Sequence, residues 1–313
     1  MSLLYKYLDL GKIGVLKSMA LATSDPALFN DPFEVRPCFD QERHDHFAKS
    51  HESFYARLGF PHSLVADGSL VGLPTENAVG FGEHLNQSFR QGLSKRFRVL
   101  CLSRNPGSVL MWGHYAQSHT GFAIGIDTSI AGFPTGLRNE GFEVNYTADR
   151  SGIKLPLPYY QTPSVETFNF RGNIVNQPDE LVVSDGGIAI PFSEYQRQMA
   201  DVELKALTTK AIDWAYEKEV RFIYQLPEHS KQLCFEDGRY LVSIPKAALR
   251  EIIFGFHAPV DLVSHVVQVF DSGTLGAPKL FFAECHPFLF EVQRHEAQPQ
   301  YLLNYYKIVK PAQ

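Results

Sequence analysis

Short apolar and aromatic runs, many alternating with polar residues, recur along the chain and predict strands. They are "SLLYKYLDL", "ALATS", "FRVLCLS", "TGFAIGID", "GFEVNYT", "VRFIYQL", "RYLVSIP", "LREIIFGF", "PKLFFAECH" and "FLFEVQRH". Other stretches place apolar residues three or four apart and predict helices: "GKIGVLKSMALATS", "DQERHDHFAKSHESFYARLGF", "FGEHLNQSFRQGLSKR", "VLMWGHYAQSH" and "PVDLVSHVVQVF". The strongest helix is "SEYQRQMADVELKALTTKAIDWAYE", with Ser193 as its cap and Met199, Val202, Leu207, Ala211, Ile212 and Trp214 near helical spacing. "DPALFNDPFE" contains two Asp-Pro steps and reads as an ordered loop. Prolines and glycines crowd residues 150–192, which read as an irregular insert.

Strands and helices do not alternate strictly, so the expected fold class is α+β, with mixed or antiparallel sheets and flanking helices. We expect one domain over 1–313, with a helix and strand extension from about 257 to 313. No glycine-rich nucleotide loop and no G-x-S-x-G elbow occurs.

Composition adds bounds. Apolar residues make up 44% and charged residues 20% of the 313 residues, which supports an ordinary core. The net charge of −5 and the scattered basic residues argue against a broad nucleic-acid surface. No apolar run approaches the roughly 18 residues a membrane helix needs. "MSLLYKYLDLGK" lacks the apolar core of a secretory signal, so a cytoplasmic location is expected. The four cysteines form no C-x-x-C pair, and those in "VLCLS" and "QLCFE" read as buried apolar residues.

Candidate chemistry begins with "DWAYEKEVRFIY". On an extended segment Glu217, Glu219 and Arg221 share one face, while Val220, Phe222 and Tyr224 point into a core. The same alternation describes any strand with one face in solvent. "LYKY" places Tyr5, Lys6 and Tyr7 on the first strand, and Ser103 and Arg104 end a middle one. Trp112, His114 and Tyr115 fall on a short helix and could form a pocket wall or simple packing. In "HDHFAKSH", His44, His46 and His51 do not share a helical face, so a metal role is not expected there.

Taken in order, "LYKY", "FNDPFE", "CLS", "LMWGHYAQSHTGFAIGID", "YEKEVRF" and "LREIIFG" resemble DUF2971, a domain family of unknown function, over about residues 3–256. A fainter resemblance is to ADP-ribosyltransferases that use NAD. It implies a split-sheet core, with Lys6, Ser103 and Glu217-Lys218-Glu219 at that family's three motif positions. Lys6 stands where members of that family usually carry His or Arg. The implied reaction breaks the bond between nicotinamide and ribose through an oxocarbenium-like state. Glu219 would stabilise that charge, and Glu217 would orient or deprotonate the acceptor. Arg221 with Lys6 or Arg104 would pair with pyrophosphate, and Tyr7, Tyr115 or Trp112 would stack on a ring of NAD. Tyr5 and His114 complete the expected NAD-binding set. The acceptor is not identified, and a role in phage defence or as a toxin-like effector rests on analogy. Two other readings stay open. One is a Mg²⁺-dependent nuclease or hydrolase using Asp31, Glu34, Glu217 and Glu219. The other is a non-catalytic binding domain.

Overall fold

The structure is a computed structural model that describes residues 3–38, 78–155, 183–185, 188–190, 192–273 and 275–308. The expected helix over 40–60, the histidine-rich piece and most of the 150–192 insert lie outside these residues. The strands, in chain order, are β1 (Leu4–Leu8), β2 (Ala20–Ala22), β3 (Phe97–Ser103), β4 (Phe122–Ile126), β5 (Phe142–Glu143), β6 (Asn145–Thr147), β7 (Val183–Asp185) and β8 (Ile188–Ile190). They continue with β9 (Thr209–Ala211), β10 (Glu219–Gln225), β11 (Leu233–Glu236), β12 (Arg239–Ser243), β13 (Leu249–Phe254), β14 (Lys279–Cys285) and β15 (Val292–Glu296). The helices are α1 (Val15–Ser18), α2 (Ala78–Arg96), α3 (Val109–Tyr115), α4 (Phe192–Thr208), α5 (Val260–Asp271) and α6 (Pro299–Ile308).

The fold class is α+β, as the pattern predicts. The chain divides into two compact units, one of residues 1–30, 94–146 and 210–313, the other of 31–93 and 147–209. In the first, eight strands form one sheet in the order β15-β14-β13-β4-β1-β3-β10-β5. Its pairings are antiparallel except β13 with β14, which run parallel with α5 between them in sequence. A second sheet, β11-β12-β2, also belongs to this unit. In the other unit β7 and β8 form a hairpin, and Cys38 exchanges backbone bonds with Ile153 and Leu155.

Period-two alternation gives the large sheet two different faces. One carries Leu4, Leu8, Leu100, Leu102, Phe122, Ile124, Phe222 and Phe254, buried with Val263 and Val266 of α5 and with Leu302 and Tyr306 of α6. The other carries Tyr5, Tyr7, Ala123, Ile253 and Phe281, packed with Met111, Trp112 and Ala116. Ser108 caps α3 by accepting from the Met111 N–H, which fixes where the short helix starts. Gln117, Ser118 and His119 then take positive φ in succession. That turn is held by backbone bonds from Ser118 to Gly113 and from His119 to Trp112. The loop from Asp127 to Gly141 is drawn against β10 by the Leu137 N–H, which donates to the Ile223 carbonyl. A Cβ at Gly136 would sit 2.2 Å from that carbonyl oxygen, and its φ is +62°, so glycine is required there.

Three expectations change. The last strand begins at Val292, not within "FLF"; Phe288, Leu289 and Phe290 instead form an exposed turn after β14. Its backbone closes on itself, because the His286 N–H donates to Glu291 and the His286 Nδ1 accepts from Phe288 and Leu289. Cys234 is exposed rather than buried, because β11 is the outer strand of its small sheet. The long helix stops at Thr208, and β9 followed by a 3-10 turn, Ile212–Glu217, replaces its expected end. Among the described residues no helix is long and apolar enough to cross a membrane.

Candidate active site

The sheet register sets the site. Tyr5 on β1 stands opposite Ser103 on β3, and Ser103 stands opposite Glu219 on β10. Paired positions project to the same face, so three neighbouring strands bring a tyrosine, a serine and a carboxylate into one row. Glu217 is not on the strand. It ends a turn of 3-10 helix, Ile212–Glu217, and Lys218 turns the chain through a left-handed conformation with φ of 44°. This turn, not strand alternation, brings the second carboxylate back beside the first.

Both carboxylates are buried, at 3% exposure for Glu217 and 7% for Glu219. The Lys210 ammonium lies 2.7 Å from Glu217 Oε2 and 3.9 Å from Glu219 Oε2. Arg221 donates to Glu219 Oε2 at 2.7 Å. The Tyr115 hydroxyl donates to Glu217 Oε1 at 2.7 Å and accepts from the Asn30 side-chain amide. The Ser103 hydroxyl donates to the Glu217 carbonyl at 2.5 Å, and the Glu219 N–H donates to the Tyr146 hydroxyl at 2.8 Å. Rings cover the cations: the Arg221 guanidinium lies 4.7 Å from the Phe29 centroid, and the Lys210 ammonium 4.6 Å from that of Trp214.

Electrostatics follow from this geometry. Burial pushes the Glu219 carboxyl up, but Arg221, Lys210 and the Cys101 thiol outweigh it and hold the pKa at about 2. Burial, the Glu219 charge and a hydrogen bond to that carboxylate all push the Cys101 thiol upward, so it stays protonated. Burial and the Glu217 charge likewise raise Tyr115. Lys210 and Arg221 thus set two buried cationic groups against the two buried carboxyl groups.

Of the residues singled out in the sequence, Ser103, Tyr115, Glu217, Glu219 and Arg221 meet in this network. Tyr5 shares the row of Ser103 and Glu219, but its hydroxyl bonds outside the network. Lys6 is in register with Ile124, on the face opposite Tyr5 and Tyr7, and its ammonium donates to the Cys101 carbonyl. Tyr5 donates to Glu251 and accepts from Arg294; burial and the Glu251 charge push its hydroxyl up to about 12. The Tyr7 hydroxyl donates to the Asn105 carbonyl, and its ring meets Trp112 edge-on at 5.1 Å. Trp112 is fully buried and donates to the Pro106 carbonyl. Arg104 pairs with Glu143 at the surface. His114 is exposed, with its ring 6.4 Å from Tyr216. Asp31 and Glu34 are buried in the other compact unit. Among the described residues no group of three His, Cys, Asp or Glu side chains could hold a metal ion.

Sequence reasoning missed Lys210, Asn30, Tyr146 and Tyr216. Lys210 was hidden inside a helical pattern that the structure ends two residues earlier. The Glu217-to-Lys210 spacing of seven carries no strand or turn signal.

Residues 111–222 match the family described as "Protein of unknown function (DUF2971)". This segment is similar to that family. It runs from α3 into β10 and contains Tyr115, Tyr146, Lys210, Glu217, Glu219 and Arg221, while Ser103 and Asn30 come from outside it. No curated protein and no solved structure matches the chain.

Proposed function

We propose that this DUF2971-like segment and the strands beside it form an NAD-dependent ADP-ribosyltransferase. In the proposed reaction the bond between ribose C1′ and the nicotinamide nitrogen breaks, and nicotinamide leaves with the electron pair. The lone pair of an acceptor nucleophile then bonds C1′, and the acceptor releases its proton. The supporting observation is the Tyr5–Ser103–Glu219 row at one end of three adjacent strands, with Glu219 kept as an anion. An ionised carboxylate in a dry site is the group that stabilises an oxocarbenium-like ribose.

The geometry refines the roles. Glu217 is engaged by Lys210 and Tyr115, which suits aligning its neighbour better than taking a proton. Trp112 is sealed in the core, so ring stacking passes to Tyr115, Tyr216 and His114, which keep some exposure. NAD is the proposed donor substrate and a macromolecule in the cytoplasm the proposed acceptor. A defence or toxin-like role fits consumption of NAD.

Nicotinamide release from NAD by the full chain tests this reading, with Glu219→Gln as the comparison. A loss of about 10²–10³-fold in the variant is expected. Equal rates in the two proteins overturn the proposal. The second reading, a binding domain without catalysis, draws on the fact that every carboxylate in the network is already matched by a cation. It predicts no nicotinamide release from either protein. A Mg²⁺-dependent hydrolase draws no such support, since ammonium, guanidinium and phenol groups occupy the carboxylates.

A further inference from the structure

A cleft lies at the same end of the large sheet as the carboxylates, but on the other face. Arg104 follows Ser103 at the end of β3, and Asp127 follows Ile126, which pairs with Leu4. Leu4 and Phe133 belong to the core opposite Tyr5. Between them and the loop from Asp127 to Gly141 the cleft measures about 460 Å³. Small-molecule sites are of roughly 300–1,000 Å³.

Its walls are held by the chain itself. The Asp127 N–H donates to the Ala248 carbonyl, the Phe133 N–H to the Ile130 carbonyl and the Tyr224 hydroxyl to the Pro134 carbonyl. Asp127 Oδ1 accepts from the N–H and the hydroxyl of Ser129. Those bonds hold the Asp127 carboxyl below the ordinary carboxylate range, so it is an anion at neutral pH. Its Oδ2 meets Arg250 at 3.4 Å, the long limit of a hydrogen bond, and an ionised carboxylate accepts about four such bonds. Room for a ligand hydroxyl remains there. Beside it, the Thr128 hydroxyl lines the cleft and has no hydrogen-bond partner among the described residues.

Leu4, Ile130 and Phe133 supply an apolar floor, which suits a flat ring. The lining cation is Arg104, and Glu143 already bonds it. We propose that this cleft binds an uncharged ribonucleoside, its base against Leu4, Ile130 and Phe133 and its ribose hydroxyls on Asp127 and Thr128. The floor separates this ligand from a plain sugar, the hydroxyls separate it from a free base, and the Asp127 anion separates it from a nucleotide, since like charges placed together are repelled. The site is distinct from the Glu217 and Glu219 network and does not depend on the transferase reading.

Calorimetric titration of the full chain tests this. The four ribonucleosides are titrated first, and at least one is expected to bind with a Kd below about 1 mM. The tightest is then compared with its 2′,3′-dideoxy form, its 5′-monophosphate and free ribose. Each of the three is expected to bind at least about ten-fold more weakly. If no ribonucleoside binds below about 1 mM, or if any of the three binds as tightly as the nucleoside, the proposal is overturned.

Two variants place the binding. Thr128→Val removes a hydroxyl that bonds nothing in the chain, and nucleoside affinity is expected to fall several-fold. Asn139→Trp puts a large ring into the cleft from an exposed loop position, and binding is expected to be lost. Monophosphate binding that survives in Asn139→Trp belongs to another site, so the comparison uses the part this variant removes. A nucleoside affinity unchanged in either variant overturns the proposal. If neither variant folds, the ligand series on wild type decides.

Discussion

Glu219 stands directly opposite Ser103 across β10 and β3, and the Ser103 hydroxyl reaches past it to the carbonyl of Glu217. One buried serine thus ties β3, the neighbour of the strand carrying the first carboxylate, to the turn carrying the second. It also accepts from the Asn105 N–H at 3.0 Å. Ser103→Ala removes a partner from both backbone groups. We expect a loss of about 2 kcal/mol in unfolding free energy, measured in urea, since a buried unsatisfied group costs about 1–3 kcal/mol. A loss below about 0.5 kcal/mol would show that the serine does not hold the turn.

Lys218 lies between the two glutamates with φ of 44° and ψ of 52°, in the left-handed region. Its side chain is exposed, so the conformation and not the charge is what the position demands. Lys218→Gly is expected to be neutral or stabilising by up to about 1 kcal/mol, because glycine adopts this region without steric cost. Lys218→Val is expected to destabilise by about 1–3 kcal/mol. Thermal unfolding of both variants checks the order, and a valine variant as stable as the glycine one would contradict it.

Acid should weaken the protein through Glu219. Its folded pKa of about 2 lies below the ordinary value of a free glutamate. The unfolded chain therefore binds a proton first as pH falls, and stability present above about pH 5 is lost toward pH 2. The expected contribution from this one group is a loss of about 2 kcal/mol by pH 3. Urea unfolding at several pH values should show this slope in wild type and a shallower one in Glu219→Gln. Parallel slopes would mean that Glu219 is not held as described.

The turn after β14 makes the opposite prediction. Phe288 and Phe290 are 90% and 106% exposed, so they bury almost no apolar area within the chain. Replacing both with serine is expected to change unfolding free energy by less than about 0.5 kcal/mol, as is usual for surface sites. A larger loss, read from the urea midpoint, would place these rings in a core.

Much of the sheet was legible in the sequence. β1, β3, β4, β10, β12, β13 and β14 fall on the apolar runs that predict them, because a buried strand advertises itself in a few consecutive residues. The α5 helix was legible for the same reason, through its apolar positions at helical spacing. The site was only half legible. Glu219 and Arg221 share a face as the alternation predicts, but Glu217 arrives through a left-handed residue that no periodicity encodes. Lys6 joins the glutamates only through the fainter resemblance, whereas the register turns it to the other face. Lys210 could not be found from pattern. A helix that ends early leaves no signature when Thr208, Thr209 and Lys210 carry no glycine or proline.

The end of α4 at Thr208 has one more consequence. Along β9, Lys210 is buried while Thr209 and Ala211 are partly exposed, so inward and outward positions follow each other at every step. Deleting a single residue between Thr208 and Lys210 would turn the ammonium outward and offer Ala211 to the carboxylates. Here the protein reads chain length as strictly as residue identity. Related sequences can therefore be sorted by counting residues from the end of this helix to the Glu-Lys-Glu triplet, before any comparison of side chains.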